Sequence, residues 1–126
     1  MKKLTSLLII LMFTIGCNAQ KFESIPAKQF SEKIKTTPKP QILDVRTKAE
    51  FETGHIENAI NIDWNAANFD DKINIFDKTK PIFVNCQLGG RSKKAANKLV
   101  LLGFNTIYEL DGGIASWIAS EFLIKI

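Results

Sequence analysis

The chain has two cysteines, one histidine and four prolines, and it has no uninterrupted apolar run of the roughly 20 residues that a membrane-spanning helix needs. Two cysteines cannot form the multi-bridge framework that staples small secreted domains, and the chain has no Cys-x-x-Cys pair of the kind that thiol–disulfide exchange uses. The lone histidine, His55 in a Gly-His-Ile setting, has no evident partner to position it, so it reads as a structural turn residue rather than a general base. Internal repeats and low-complexity segments are absent. What is present is ordinary globular material: 126 residues, 45% hydrophobic and 24% charged, with nine Phe and two Trp. That composition excludes a disordered or collagen-like chain, and the length suits one domain.

The first residues carry a separate message. Met1-Lys2-Lys3 is a short basic start, Leu4 to Ile15 is mostly apolar, and the small Gly16 precedes Cys17, which is the layout of a secretory signal. Thr14-Ile15-Gly16-Cys17 also resembles the lipobox of bacterial lipoproteins, with Thr14 standing where an aliphatic residue is usual. Residues 1–17 are therefore expected to be a signal peptide with a lipidated Cys17, and residues 18–126 the mature domain in the periplasm or cell envelope. A plain secretory peptide cut near Ala19-Gln20 and a buried N-terminal strand are the alternatives. The signal takes Lys2 and Lys3 with it, leaving 15 of the 17 basic residues against 13 acidic ones. The formal charge falls from +4 to +2, which points to no nucleic-acid partner and leaves the membrane only through an anchor at Cys17.

In the mature part, Pro26 opens a helical pattern carrying Phe30 and Ile34 on one face, and Thr36 to Pro40 ends it. Gln41 to Val45 reads as a buried strand. Thr47 and Glu50 have capping-box spacing for a short helix stopping at Gly54. Ala59 to Ile62 reads as a second strand, Ala66 to Phe76 as a helix, and Pro81 to Val84 as a strand. Ser92 to Leu102 reads as a helix stopped at Gly103, Thr106 to Leu110 as a strand, and Ile114 to Ser120 as a short helix after the Gly112-Gly113 turn. Strands alternating with helices across short connections predict an α/β domain with a mainly parallel sheet flanked by helices. Trp64 and Trp117 read as packing residues.

The chemistry concentrates in Asn85-Cys86-Gln87-Leu88-Gly89-Gly90-Arg91-Ser92, where a strand ends, a tight loop turns and a helix begins. Open α/β sheets bind ligands at this edge. Two adjacent glycines let successive N–H groups point inward, and the positive end of the helix adds to the same point. A thiol at the centre of such a cradle is expected to favour its thiolate and to be a nucleophile. Arg91 supplies a permanent positive charge and a fork of donors. Lys93, Lys94 and Lys98 are cations near a helix start, which helix stability disfavours. They read either as a source of positive potential for an anionic substrate or as a solvated face, and Lys98 reads as the latter. The competing reading of Cys86 is a small buried hydrophobe at a strand end.

The ordered set Ile42-Leu-Asp-Val-Arg46, Glu50-Phe51, Gly54-His55-Ile56 with Ala59 and Asn61, Cys86-x-x-Gly89-x-Arg91-Ser92, and Leu110-x-Gly112-Gly113 with Trp117 resembles single-domain rhodaneses from Phe22 to Trp117. The resemblance implies a central parallel sheet and a Cys86 that alternates between thiolate and persulfide, relaying sulfur from a donor such as thiosulfate, a persulfide or a polysulfide. The acceptor would be a thiol or cyanide. No metal or organic cofactor is required. Cys86 and Arg91 are the implied catalytic residues, the substrate cradle runs over Gln87, Leu88, Gly89, Gly90, Arg91 and Ser92, and Asp44 with Arg46 supports the loops around it. The six-member loop has the length of sulfur-transferring relatives, where related phosphatases have one residue more. Gln87 and Leu88 stand where some thiosulfate-using relatives carry cations, which makes thiosulfate a poor donor. Two alternatives remain: an arsenate reductase or phosphatase of the same fold, and a non-catalytic binding or redox-sensing module.

Overall fold

A computed structural model describes residues 22–126. The expected signal segment, with Cys17, lies outside the described residues. Five strands form one parallel sheet in the order β1 (Glu23–Ile25), β5 (Ile107–Leu110), β4 (Ile82–Asn85), β2 (Gln41–Asp44), β3 (Ile60–Asn61). The helices between them are α1 (Ala27–Thr36), α2 (Lys48–Glu52), α3 (Phe69–Lys72), α4 (Gly90–Leu101) and α5 (Gly113–Ala119). Parallel strands must be joined by crossovers that cover both sheet faces, so the central strands are apolar on both sides. Ile42-Leu43 and Ile82-Phe83-Val84 are accordingly all buried.

The two faces hold separate cores. Leu43, Val45, Val84, Cys86 and Ile107 pack beneath Ala95 and Leu99 of α4 and Phe69 of α3. On the opposite face Ile42, Phe83 and Leu110 pack against Phe30 of α1 and Ile114 and Trp117 of α5. Phe30 meets Phe83 edge-on at 5.4 Å and Trp117 at 6.2 Å. Trp64 packs edge-on against Phe69 at 5.0 Å, so both tryptophans have the packing role expected of them.

Thr47 and Glu50 form the expected capping box: the Thr47 hydroxyl oxygen accepts from the Glu50 N–H at 3.2 Å, and the Glu50 carboxylate accepts from the Thr47 N–H at 3.1 Å. The helix expected over Ala66 to Phe76 is instead one α turn, Phe69–Lys72, followed by a 3-10 turn, Ile73–Ile75. Phe69, Ile73 and Phe76 all reach the core, so the apolar spacing was satisfied by two short turns. Helix α4 begins two residues before the expected Ser92, because Gly89 adopts φ +111° and closes the loop as its N-cap. Two pairings were not anticipated: β1 adds to the sheet edge beside β5, and Lys125 pairs antiparallel with His55.

Candidate active site

The strand order places the carboxyl end of β4 near the middle of the sheet, flanked by β5 and β2. Cys86 follows directly and is 1% exposed, its side chain on the α4 side of the sheet with Val84. The Gly89 N–H donates to the Cys86 sulfur at 3.0 Å, and the sulfur lies 3.3 Å from the Ser92 hydroxyl oxygen. The loop therefore curls around the thiol as its glycines suggested, with one backbone N–H on the sulfur. Ser92 is fully buried in the first turn of α4. Gly90 begins the same helix, with open space where a Cβ would stand.

The rest of the loop is held from three sides. Just beyond β2, Arg46 is 2% exposed and donates to both Asp44 carboxylate oxygens, at 2.8–3.1 Å, and to the Gly54 carbonyl at 2.7 Å. Its remaining nitrogen donates to the Gln87 side-chain oxygen at 3.2 Å. The Asp44–Arg46 pair is thus tied to the Gln87 side chain and to the turn after α2. From α5, the N–H groups of Ile114 and Ala115 donate to the carbonyls of Cys86 and Gln87 at 2.8 and 3.2 Å. From α2, the Glu50 carboxylate takes both arms of the Arg91 guanidinium at 2.7 and 2.8 Å. Leu88 stands out of the loop, 73% exposed.

Arg91 is consequently engaged by Glu50 as a two-bond pair rather than left open as a donor fork. The Glu50 bonds hold the Arg91 pKa above its ordinary value, with the charge of Cys86 adding in the same direction. Reciprocally, the Arg91 bonds, reinforced by those from Thr47 and opposed by burial, lower Glu50 from 4.5 to about 2. A depressed carboxylate contributes stability above its unfolded pKa and loses it as pH falls through the folded one. The pair is partly exposed, with side-chain exposures of 28% and 31%, so solvent screening reduces its contribution to about 1 kcal/mol. We expect stability to decline between pH 4.5 and about 2, and Glu50→Gln to remove this part of the decline. Urea midpoints measured across that window check it.

His55 stacks on Phe51 with ring centroids 3.8 Å apart, its Nδ1 lies 3.1 Å from the Phe51 carbonyl oxygen, and its backbone pairs with Lys125. These contacts are structural, as expected. Of the lysines after the loop, Lys98 pairs with Asp70 at 3.2 Å, whereas Lys93 folds back onto Glu109 at 3.2 Å. Glu109 was not anticipated. It lies in β5, is fully buried, and accepts a 2.5 Å hydrogen bond from Ser92, the residue touching the Cys86 sulfur. An acid inside a strand buried on both faces is the signal that could have singled it out.

A cysteine at the carboxyl end of a central parallel strand, wrapped by a glycine loop that feeds a helix, defines an α/β domain with a buried thiol at its ligand-binding edge. The comparisons with known proteins sharpen that class. Residues 26–120 match the rhodanese-like domain, and the chain belongs to that family. It is 39% identical over 77 residues to the thiosulfate sulfurtransferase GlpE of Shewanella oneidensis, covering 61% of this chain and 74% of that one. It is 35% identical over 104 residues to an adenylyltransferase and sulfurtransferase of Scheffersomyces stipitis, covering 75% of this chain but 24% of the larger protein. Among solved structures, a rhodanese-related protein from Thermoplasma volcanium superposes with a TM-score of 0.72 at 36% identity, over 82% of this chain and 98% of that one.

Proposed function

We propose that the protein is a sulfurtransferase that carries sulfane sulfur as a persulfide on Cys86. The observation that carries the reading is the Gly89 N–H aimed at the buried Cys86 sulfur from 3.0 Å, in a family whose relatives include named sulfurtransferases. The Cys86 thiolate attacks the outer sulfur of the donor, a new S–S bond forms and the donor's S–S bond breaks, releasing sulfite from thiosulfate or a shortened sulfur chain from a polysulfide. Backbone N–H groups of the loop and the start of α4 face the negative charge left on the outer sulfur. An acceptor, cyanide or a thiolate, then attacks that outer sulfur and releases Cys86 as thiolate. Arg91 acts from its pair with Glu50, as a fixed positive charge beside the loop and as the tie between loop and α2.

The donor is a persulfide or polysulfide in preference to thiosulfate. Within the loop, Gln87 is held by Arg46, Leu88 is apolar and exposed, and Arg91, the one side-chain cation, has its charge met by Glu50. A compact dianion gains little there beyond backbone N–H groups. Turnover with cyanide as acceptor should therefore be higher for polysulfide than for thiosulfate, and Leu88→Lys should raise kcat/KM for thiosulfate by about tenfold, the worth of one charge-assisted contact. No turnover with any sulfur donor, together with hydrolysis of an aryl phosphate, would replace the reading by a phosphatase.

We further propose that residues 1–17 are an export signal ending in a lipidated Cys17, which tethers the domain in the cell envelope. The basic start, apolar stretch and Gly16-Cys17 junction support it. Metabolic labelling with a fatty-acid analogue should mark the full-length protein and leave Cys17→Ser unmarked; absence of label from both would point to simple secretion.

A further inference from the structure

The sheet face opposite Cys86 carries a cavity to which the reactive loop contributes no residue. Its volume is about 300 Å³, and its apolar walls are Ile34 of α1, Ile42 of β2, Ile56 of the segment after α2, Trp117 of α5 and Phe122 beyond it. Trp117 and Phe122 stand 4.8 Å apart between ring centroids, and the Trp117 indole N–H is already given to the Leu123 carbonyl at 3.0 Å, so this aromatic wall offers no free donor. A second hollow of about 380 Å³ adjoins the first, since Ser31, Lys35 and Phe122 line both.

Two polar groups at this site have no partner. Ser31 is 4% exposed, and its hydroxyl makes no hydrogen bond to any described residue although it lines both hollows. Buried hydroxyls are rarely left so, because an unmet one is costly. Lys35, exposed in the last turn of α1, forms no ion pair with any described carboxylate, whereas its neighbour Lys33 sits 4.7 Å over the Tyr108 ring. The acid lining the cavity, Glu57, faces Lys125 at 3.8 Å. The second hollow adds Lys28 and Glu32, one charge of each sign, so the charge left over is that of Lys35.

Apolar walls with a few converging polar groups are the make-up of a small-molecule site, and 300 Å³ is the lower end of the size range. At about 30 Å³ per heavy atom, the share a water takes in the liquid, the cavity holds about ten. Ser31 and Lys35 are one turn apart on α1, so hydroxyl and ammonium lie on the same side of the helix. We propose that the cavity binds a small amphipathic carboxylate, with an apolar body of about eight carbons inside the walls and its carboxylate accepting from Lys35 and Ser31. Burial of the body drives binding, and the charge selects an acid over an amine. The competing occupant is a second copy of the chain, because Leu123 at the cavity rim is 89% exposed. An apolar side chain from a second copy would leave both the Lys35 charge and the Ser31 hydroxyl unmet, which favours the acid. The proposal is independent of sulfur transfer.

Octanoate titrated into the isotope-labelled full chain tests this by nuclear magnetic resonance, because the chain has two tryptophans and they pack on opposite faces of the sheet. The Trp117 indole N–H signal should shift and saturate at one equivalent bound, while that of Trp64 stays in place. Lys35→Met should weaken octanoate about tenfold, the worth of one charge-assisted contact, and Ser31→Ala about fivefold. Octylammonium, the same body with the opposite charge, should bind the wild type at least about tenfold more weakly than octanoate, and Lys35→Met should erase that difference. Cys86→Ser should bind octanoate as the wild type does. A Trp117 signal that does not move, a Trp64 signal that moves with it, equal affinity for the acid and the amine, or unchanged affinity in Lys35→Met would each overturn the proposal. So would a dimer in sedimentation velocity that Leu123→Glu dissolves, which would give the cavity to a second copy. A chain that transfers sulfur but ignores octanoate loses this proposal alone, and a chain that binds octanoate but transfers no sulfur loses the other.

Discussion

Cys86→Ser is expected to reduce sulfur transfer to any acceptor by at least about 10³-fold while leaving the domain folded. Removing a nucleophile that forms a covalent intermediate deletes the route itself and leaves only the background. The fold should survive because the replacement is small and its surroundings already suit it. The Gly89 N–H and the Ser92 hydroxyl that contact the sulfur at 3.0 and 3.3 Å can bond a serine oxygen, and the cost of exchanging the apolar sulfur for that oxygen is held to about 1–2 kcal/mol. Cyanide-acceptor turnover and urea unfolding, measured on the same preparation, separate the two quantities. Activity that survived the substitution would place the sulfur carrier elsewhere.

Gly113→Ala is expected to be the most damaging of the conservative changes, although it adds one methyl group outside the reactive loop. Gly113 has φ +63°, left-handed backbone that costs an L-residue about 1–2 kcal/mol. A Cβ there would also stand 2.4 Å from the Gln87 carbonyl oxygen and 2.7 Å from that of Cys86. Both contacts are with backbone, which cannot rotate away, so overpacking adds about 1–3 kcal/mol. The strain also falls where α5 holds the loop by its Ile114 and Ala115 N–H groups. Stability should fall by roughly 3 kcal/mol, and sulfur transfer should drop even below the denaturation midpoint. Gly103→Ala is the control: its φ is also positive, +92°, but nothing lies within 4 Å of the added carbon, so it should cost only the backbone part, about 1–2 kcal/mol, and leave transfer intact.

The sequence made the frame of this site legible and left its wiring hidden, and the reason differs from residue to residue. The apolar runs at Ile42-Leu43 and Ile82 to Val84 declared themselves because parallel strands are apolar on both faces, and Thr47 with Glu50 because a capping box is a local pattern. Cys86 with its two glycines was equally local. The second partnership of Glu50, with Arg91, spans 41 residues and joins elements whose proximity depends on the strand order. Arg91 therefore read as a free fork, and Glu50 as a cap alone. Glu109 was hidden in the same way, since its meaning comes from Ser24, Ser92 and Lys93 arriving from β1 and α4. The short Phe69–Ile75 turns show the opposite limit: their apolar spacing correctly marked the core side, but it did not distinguish one helix from two turns.

The central claim is that sulfur rides on Cys86, and intact-protein mass spectrometry tests it most directly. After incubation with polysulfide or thiosulfate, the wild-type chain should gain one sulfur atom, lose it on addition of cyanide or a thiol, and gain none when Cys86 is serine. A wild-type chain that stays unloaded with every donor, or a Cys86→Ser chain that loads equally well, would contradict it.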